Sequence, residues 1–487
     1  MSDIRAEREG KRDRLRALGV DPYGGRFPVT HEIGDLAALF EKGGDPLPVR
    51  VAGRVTTVRA HGKTAFLDLR SWTGRVQVYV KKSEVSERDW GIFELLDLGD
   101  LVGVEGPLFR TKTGELTVHT KALTFLAKSL HNPPEKWHGL KDVELRYRRR
   151  YVDLFSNPEV MAVFRKRSEI VQRIRRFLAD RGYLEVETPV LQGIPGGAAA
   201  RPFVTHHNAL DRDFCLRIAT EIPLKKLLVG GMEKVFEIGR LFRNEGIDTR
   251  HNPEFTTMEL YQAWGDLSTM MDLAEELVTD LARTVAGGTD LAWGDKVIHF
   301  APPWPRKRYL DLLREHTGVD PADEEALRRR LREKGADPAA AAGLDLLDKA
   351  FGEFVEPHLV DPVFVTAQPL GFSPLCREIR GEPHLADRFE LFVAGMELAN
   401  AYTELNDPAV QRERLVAQAG SGDEMARLGK IDGDFLLALE HGMPPAGGIG
   451  IGIDRLAMIL TSAPSIRDVI LFPAMKAEEG PLEQVGR

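Results

Sequence analysis

Gly448-Ile449-Gly450-Ile451-Gly452-Ile453-Asp454-Arg455, followed by the apolar run Leu456 to Leu460, is the stretch on which the fold turns. Its glycines alternate, so an extended strand here has one face without side chains, and something flat can lie on the backbone. Arg455, near the start of the helix that follows, adds a guanidinium plane and positive charge. The spacing is not the dinucleotide fingerprint, whose glycine intervals and following acidic residue differ. Alone, the segment asks for no more than a glycine strand packed on a helix.

Upstream, Val235 to Arg243 reads as a strand, Asn244 to Pro253 as a polar loop, and Glu254 to Trp264 as a second strand. Period two places Phe255, Glu259 and Tyr261 on one face and Met258 and Leu260 on the other. A hairpin carrying Arg243, His251, Phe255 and Glu259 offers phosphate-pairing cations, an aromatic plate and a carboxylate. A solvated hairpin with ordinary salt bridges fits the same residues. Further upstream, Ile170, Ile174 and Leu178 recur at i, i+4 and i+8, which predicts an amphipathic helix over Val160–Asp180. Gly182 can end it in the left-handed conformation, and the following strand stops at Pro189, which cannot donate to a ladder.

Before residue 131 the pattern changes. Val49, Val51 and Val55, then Ala65, Leu67 and Leu69, then Val76, Val78 and Val80 alternate with polar residues between glycine-containing turns. Several short half-buried strands within about eighty residues predict a small barrel. Phe66 falls on the face opposite Leu67, beside Asp68 and Arg70, where an aromatic can stack a base. Met1 to Gly19 reads as a charged surface helix, and it has no apolar segment of the kind a signal peptide needs. No apolar run approaches the roughly 20 residues that span a bilayer. Two distant cysteines, Cys215 and Cys376, argue against a disulfide framework or thiolate zinc site and suit a cytoplasmic protein. Residues 1–150 hold 27 Lys and Arg against 21 Asp and Glu, and the remainder 39 against 53. The basic front suits a polyanion, but uneven solvated surface accounts for it equally, so charge decides nothing.

In this order, helix-Gly-Tyr-…-Pro, then Phe-Arg-Asn-Glu-…-His-…-Phe-…-Glu, then Gly-x-Gly-x-Gly-x-Asp-Arg resemble the three signature motifs of class II aminoacyl-tRNA synthetases. Finer strings resemble the lysine-specific members: Ile194-Pro195-Gly196-Gly197-Ala198, Phe203-Val204-Thr205-His206-His207-Asn208, His251-Asn252-Pro253-Glu254-Phe255 and Ala401-Tyr402-Thr403-Glu404-Leu405-Asn406-Asp407. The resemblance spans nearly the whole chain. It implies an α+β fold: an N-terminal OB-type β-barrel, then a class II synthetase domain with a central antiparallel β-sheet flanked by helices. The divisions expected are a helical extension over 1–46, an OB-fold anticodon-binding domain over 47–131, a linker over 132–158 and the catalytic domain over 159–487.

The same resemblance implies ATP-dependent activation of L-lysine to lysyl-adenylate and its transfer to tRNA(Lys), by a homodimer with the first motif, and Pro189, at the interface. It implies that Arg243 pairs with the α-phosphate and that Phe255 and Arg455 sandwich the adenine. Glu245 would bond the adenine, His251 would lie near the outer phosphates, and Glu390 and Glu397 would hold Mg2+, with Glu259 nearby. Glu404 would face the substrate's side-chain ammonium, with Tyr261 and Tyr402 lining the pocket, and Glu221 the α-amino group, close to Asn400 and Gly197. Arg59, Phe66, Gln77 and Glu115 would meet the anticodon. A doubly cationic substrate needs two carboxylates at different distances, because a buried unpaired ammonium is costly.

Departures exist. Thr220-Glu221-Ile222-Pro223 stands where members read Pro-Glu-Leu-Tyr, though Thr220 can cap the helix and Pro223 is tolerable in a first turn. Trp264 replaces a usual tyrosine. Glu397 has the opposite strand parity to Asn400, Tyr402 and Glu404, so a bulge or twist must reconcile them. Adjacent His206 and His207 point apart and are not metal ligands. Competing readings are an aspartate or asparagine enzyme, disfavoured by Glu404 and Glu221; a paralogue lysylating a protein, disfavoured by the barrel; and a decayed RNA-binding module, disfavoured by Arg243, Glu390, Glu397 and Arg455.

Overall fold

A computed structural model describes residues 2–43, 48–134, 140–194, 196–197, 200–338, 341–418 and 431–476. Pro195 and Ala198 of the motif quoted above, and part of an alanine run over 339–342, lie outside them. The chain forms two compact units, residues 1–161 and 162–487.

In the first unit the alternating runs become strands: β1 (Pro48–His61), β2 (Thr64–Arg70), β3 (Arg75–Lys81), β4 (Leu101–Arg110), β5 (Leu116–His119) and β6 (Ala122–Ala127). β1 pairs with both β2 and β4, and β3, β5 and β4 complete the ring, so the barrel closes and hides its edges. Val51, Leu67, Leu69, Val78, Val80 and Val104 are fully buried, as their period requires. A bulge between Val55 and Thr57 shifts parity and sets Arg59 directly opposite Phe66. Helix α1 (Ser2–Ala17) is not simply a surface helix. Leu15 is fully buried, and Arg8 donates to the Ser129 carbonyl at 2.8 Å. The expected linker over 132–158 is not without structure. It contains helices Val143–Arg148 and Arg150–Ser156, and buried Arg150 donates to Asp153 at 2.7 Å. That ion pair, buried and i, i+3, holds the second of these helices together.

The second unit is built on α2 (Pro158–Ala179), β7 (Leu184–Glu185), α3 (Glu221–Val229), β8 (Lys234–Phe242), β9 (Glu254–Ala263), α4 (Leu267–Leu281), β10 (Arg306–Arg308), β11 (Val363–Thr366), β12 (Arg388–Val393), β13 (Met396–Thr403), β14 (Ala446–Gly452) and α5 (Ile453–Thr461). They form an eight-stranded sheet in the order β10-β11-β12-β13-β14-β9-β8-β7. The two outermost pairs are parallel and every pairing between them is antiparallel. Met258, Leu260, Ile449 and Ile451 bury one face of the sheet against Ile170, Ile174 and Leu178 of α2 and against α4 and α5. The opposite parity, Phe255 to Tyr261 and Gly448 to Gly452, is left for chemistry.

The hairpin is therefore no solvated surface feature, because β9 lies between β8 and β14 deep in the sheet. The strand after Gly182 is shorter than expected. β7 is two residues, and Thr188 instead gives its N–H (3.1 Å) and hydroxyl (2.7 Å) to the carboxylate of Glu237. That carboxylate replaces the ladder. Gly182 does take the left-handed conformation, φ 78°. Among the described residues no helix is long and apolar enough to cross a membrane.

Candidate active site

The polar face of β9, β14 and β13 floors a cavity of about 860 Å³. Register sets its grain. Gly450 lies between Glu259 and Asn400, and Gly448 between Tyr261 and Tyr402. The glycine face is not uniformly bare. A Cβ on Gly448 would run into the Glu404 carboxylate and the Tyr261 ring, whereas on Gly450 or Gly452 its nearest neighbours would stand 3.7 Å away. One end of the glycine strip thus admits the chain's own side chains, and the other stays open.

At the open end Arg243, Glu245, His251, Phe255 and Arg455 all line the cavity. The Arg243 guanidinium sits 5.2 Å from the Phe255 ring centroid. Arg455 donates to the Glu397 carbonyl at 2.6 Å and to His251 Nε2 at 3.2 Å. The neighbouring Asp454 anchors this arrangement. Its carboxylate accepts the Thr256 N–H at 2.7 Å and pairs with Arg167 of α2 at 2.5 Å. Its place in the first turn of α5 was visible in the sequence, but its partners, 198 and 287 residues away, were not.

Glu397 also lines the cavity, while Glu390 does not. The parity conflict is resolved by an irregularity in β12–β13, where Leu391 pairs with Ala399 but Phe392 with Glu397, leaving Leu398 as the extra residue. Glu390 pairs with Arg388 at 2.5 Å. Burial pushes its carboxyl up to about 7, with Arg388 opposing and Glu397 adding to the rise. These two carboxylates stand on neighbouring strands, each with a guanidinium on one side, Arg388 at 2.5 Å from Glu390 and Arg455 at 3.6 Å from Glu397. Hard oxygen donors of this number fit a magnesium ion that takes its remaining ligands from phosphates and water.

Toward the filled end three acids come within electrostatic reach, Glu221, Glu404 and, from beside Gly450, Glu259, which also feels Arg243. Glu221 opens α3, beside Gly197, whose φ of +86° and close approach to Ala219 and Glu221 suit glycine. Thr220 is the N-cap but, contrary to expectation, its side chain makes no capping hydrogen bond. Its N–H donates instead to Glu259 at 3.2 Å, which turns the helix start toward β9. Burial, then Glu221, pushes the Glu259 carboxyl up to about 7. Glu404 is fully buried behind Gly448, Tyr261 and Tyr402, and burial pushes it up to about 8 against the pull of Lys225. Lys225, which sequence reasoning did not single out, places its ammonium 2.5 Å from Glu221 and in contact with Glu404. Its i, i+4 relation to Glu221 was the available signal. Trp264 is exposed just beyond β9, and nothing in the structure gives it a role.

On the barrel, Arg59, Phe66, Gln77 and Glu115 share one outer face. Phe66 lies 5.0 Å from the Tyr79 ring, Gln77 accepts the Thr117 hydroxyl at 3.0 Å, and Glu115 pairs with Arg75 at 2.6 Å. Asp68, expected on the open polar face, is buried instead. Its carboxylate accepts the Thr57 hydroxyl at 2.6 Å and is flanked by Arg75 at 3.2 Å. Among the described residues no group of three or more His, Cys, Asp or Glu could hold a metal. His206 pairs with Asp213 at 2.8 Å.

Residues 142–476 match the family model for class II tRNA synthetases (D, K and N), and residues 49–126 match the OB-fold nucleic acid binding domain. Among curated relatives, the lysine–tRNA ligase of Moorella thermoacetica is 50% identical, covering 98% of this chain and 99% of its own length. That of Pelotomaculum thermopropionicum is 49% identical, covering 98% and 96%. That of Dehalococcoides mccartyi is 46% identical, covering 99% of each. The chain belongs to the class II tRNA synthetases of the D, K and N group, in the family of the lysine–tRNA ligases.

Proposed function

We propose that this protein activates L-lysine with ATP to lysyl-adenylate, releasing pyrophosphate, and transfers the lysyl group to tRNA(Lys). The observation that carries lysine over aspartate or asparagine is that Glu221, Glu259 and Glu404 come within electrostatic reach of one another around Tyr261 and Tyr402, where an aspartate carboxylate would be repelled and an asparagine amide would leave buried acid without a cation.

In the first step an oxygen of the lysine carboxylate, already anionic at neutral pH, forms the bond to the α-phosphorus while the bond to the β-phosphate bridge breaks. Chemistry of this type needs positioning and charge neutralisation more than a base. Arg243 receives the α-phosphate, Phe255 and Arg455 close on the adenine, Glu245 bonds its edge, and His251 attends the outer phosphates. Glu390 and Glu397 would hold magnesium, which when bound neutralises triphosphate oxygens. Glu221 takes the α-ammonium with Gly197 and Asn400 beside it, and Glu404 takes the side-chain ammonium between Tyr261 and Tyr402. In the second step a terminal ribose hydroxyl of the tRNA attacks the activated carbonyl and AMP departs.

On the barrel, Arg59, Phe66, Gln77 and Glu115 meet the anticodon. Two copies associate through the first motif, where Leu184, Val190 and Leu191 leave apolar surface exposed. The protein works in the cytoplasm, where its tRNA is found. The test is amino-acid-dependent pyrophosphate exchange across the twenty amino acids, followed by charging of purified tRNA. Exchange with lysine alone supports the reading, and exchange with aspartate or asparagine overturns it.

A further inference from the structure

Glu404 presents two oxygens to different surroundings. Oε2 meets the Lys225 ammonium, and Oε1 lies over the bare Cα of Gly448, next to the Tyr261 ring. Gly448, Tyr261 and Tyr402 belong to the cavity wall, whereas Glu404 and Lys225 are enclosed directly behind it. The same ammonium contacts Glu221 at 2.5 Å and stands 6.0 Å from the ring centroids of both Tyr261 and Tyr402. One cation thus joins the two acids assigned to opposite ends of the substrate.

Charge makes this arrangement consequential. Without Lys225, three buried carboxylates would face a substrate bringing two ammonium groups. The surplus acid would take up a proton, and a protonated Glu404 accepts an ammonium poorly. Against the rise that burial imposes on the Glu404 carboxyl, pairing with Lys225 draws it back down, and the same two acids keep the Lys225 ammonium protonated against its own burial.

We propose that Lys225 is a specificity-determining positioning residue, a built-in ammonium that bridges Glu221 and Glu404 and leaves one oxygen of Glu404 for a single cationic donor from the substrate side chain. The inference rests on Glu404 receiving that side chain. The pocket accordingly selects an amino acid with one ammonium at the end of its side chain and rejects a neutral side chain of the same length, which would leave the free oxygen buried without a partner.

The test is pyrophosphate exchange by the full chain carrying Lys225→Met, which keeps the stem and removes the charge. The lysine KM is expected to rise about thirtyfold or more, as for loss of one member of a buried pair. The ATP KM stays within about twofold, and the preference for lysine over norleucine falls at least about tenfold, a change that loosened packing alone would not direct at charge. A lysine KM and a preference both unchanged overturn the inference. Glu404→Gln is measured in parallel. If it raises the lysine KM and Lys225→Met does not, only the bridge is refuted. If neither moves it, the assignment of Glu404 falls and the bridge with it. Should Lys225→Met not fold, Lys225→Gln, which keeps a donor without the charge, takes its place, and the same shifts in KM and preference support or overturn the bridge.

Discussion

At the residue scale, the site is governed by acids held away from water. Glu404 is expected to act on one substrate only. Glu404→Gln should depress lysine-dependent exchange by at least about 100-fold in kcat/KM while ATP affinity changes little, because a buried ammonium loses its only full counter-charge on the substrate side. Equal loss of both, or of neither, would undo the pocket assignment. Glu259 offers a different kind of test. Its folded pKa of about 7 lies above the free value of 4.5, so the folded protein binds that proton more tightly. The stability this lends is complete below about pH 4.5 and is lost as pH rises through 7. Glu259→Gln, permanently neutral, should match the parent at pH 4 and exceed it at pH 8 by up to ~3 kcal/mol in urea melts. Equal stability at both pH values would show that Glu259 titrates normally.

At the scale of the element, the three motifs matter because they are threaded onto each other. Asp454 ties α5 to β9 and to α2, and through the next residue it aims Arg455. Asp454→Asn keeps an acceptor for the Thr256 N–H but gives up the pairing with Arg167. It should raise the ATP KM about tenfold, lower the melting temperature by several degrees, and leave the lysine KM within about twofold. Elements are also where residue order speaks most clearly and where it falls silent. The barrel strands and α2 were legible because each buries one face, and burial writes its period into the residue order. Glu397 was legible as a contradiction. Parity announced a bulge without saying where, and Leu398 turned out to be the extra residue. Asp68 was misplaced because its burial depends on Thr57 and Arg75, on other strands. Lys225 went unread for the same reason, since half its bridge comes from Glu404 on a distant segment. Pattern reports a residue's own element, and long-range pairing is what it omits.

For the whole molecule, two units imply two separable readouts. Phe66 presents its ring on the barrel's outer face, far in sequence from the acids of the catalytic sheet. Phe66→Ala should weaken tRNA binding about 5- to 150-fold, the range that follows from ~1–3 kcal/mol for one stacked base. Pyrophosphate exchange without tRNA should be untouched. A fall in exchange, or unchanged charging at limiting tRNA, would remove Phe66 from the anticodon.

The strand order of the catalytic sheet bears on how such a chain is made. Strands β10 to β13 form one half and β7 to β9 the other, and β14, over residues 446–452, is the piece inserted between them. A ribosome therefore delivers the keystone last. Until it emerges, β9 and β13 each offer an unpaired row of backbone amides and carbonyls to any neighbouring strand, which is where a growing chain would turn to a chaperone or be lost to aggregation. Afterwards a single insertion seals both halves and completes the floor of the cavity.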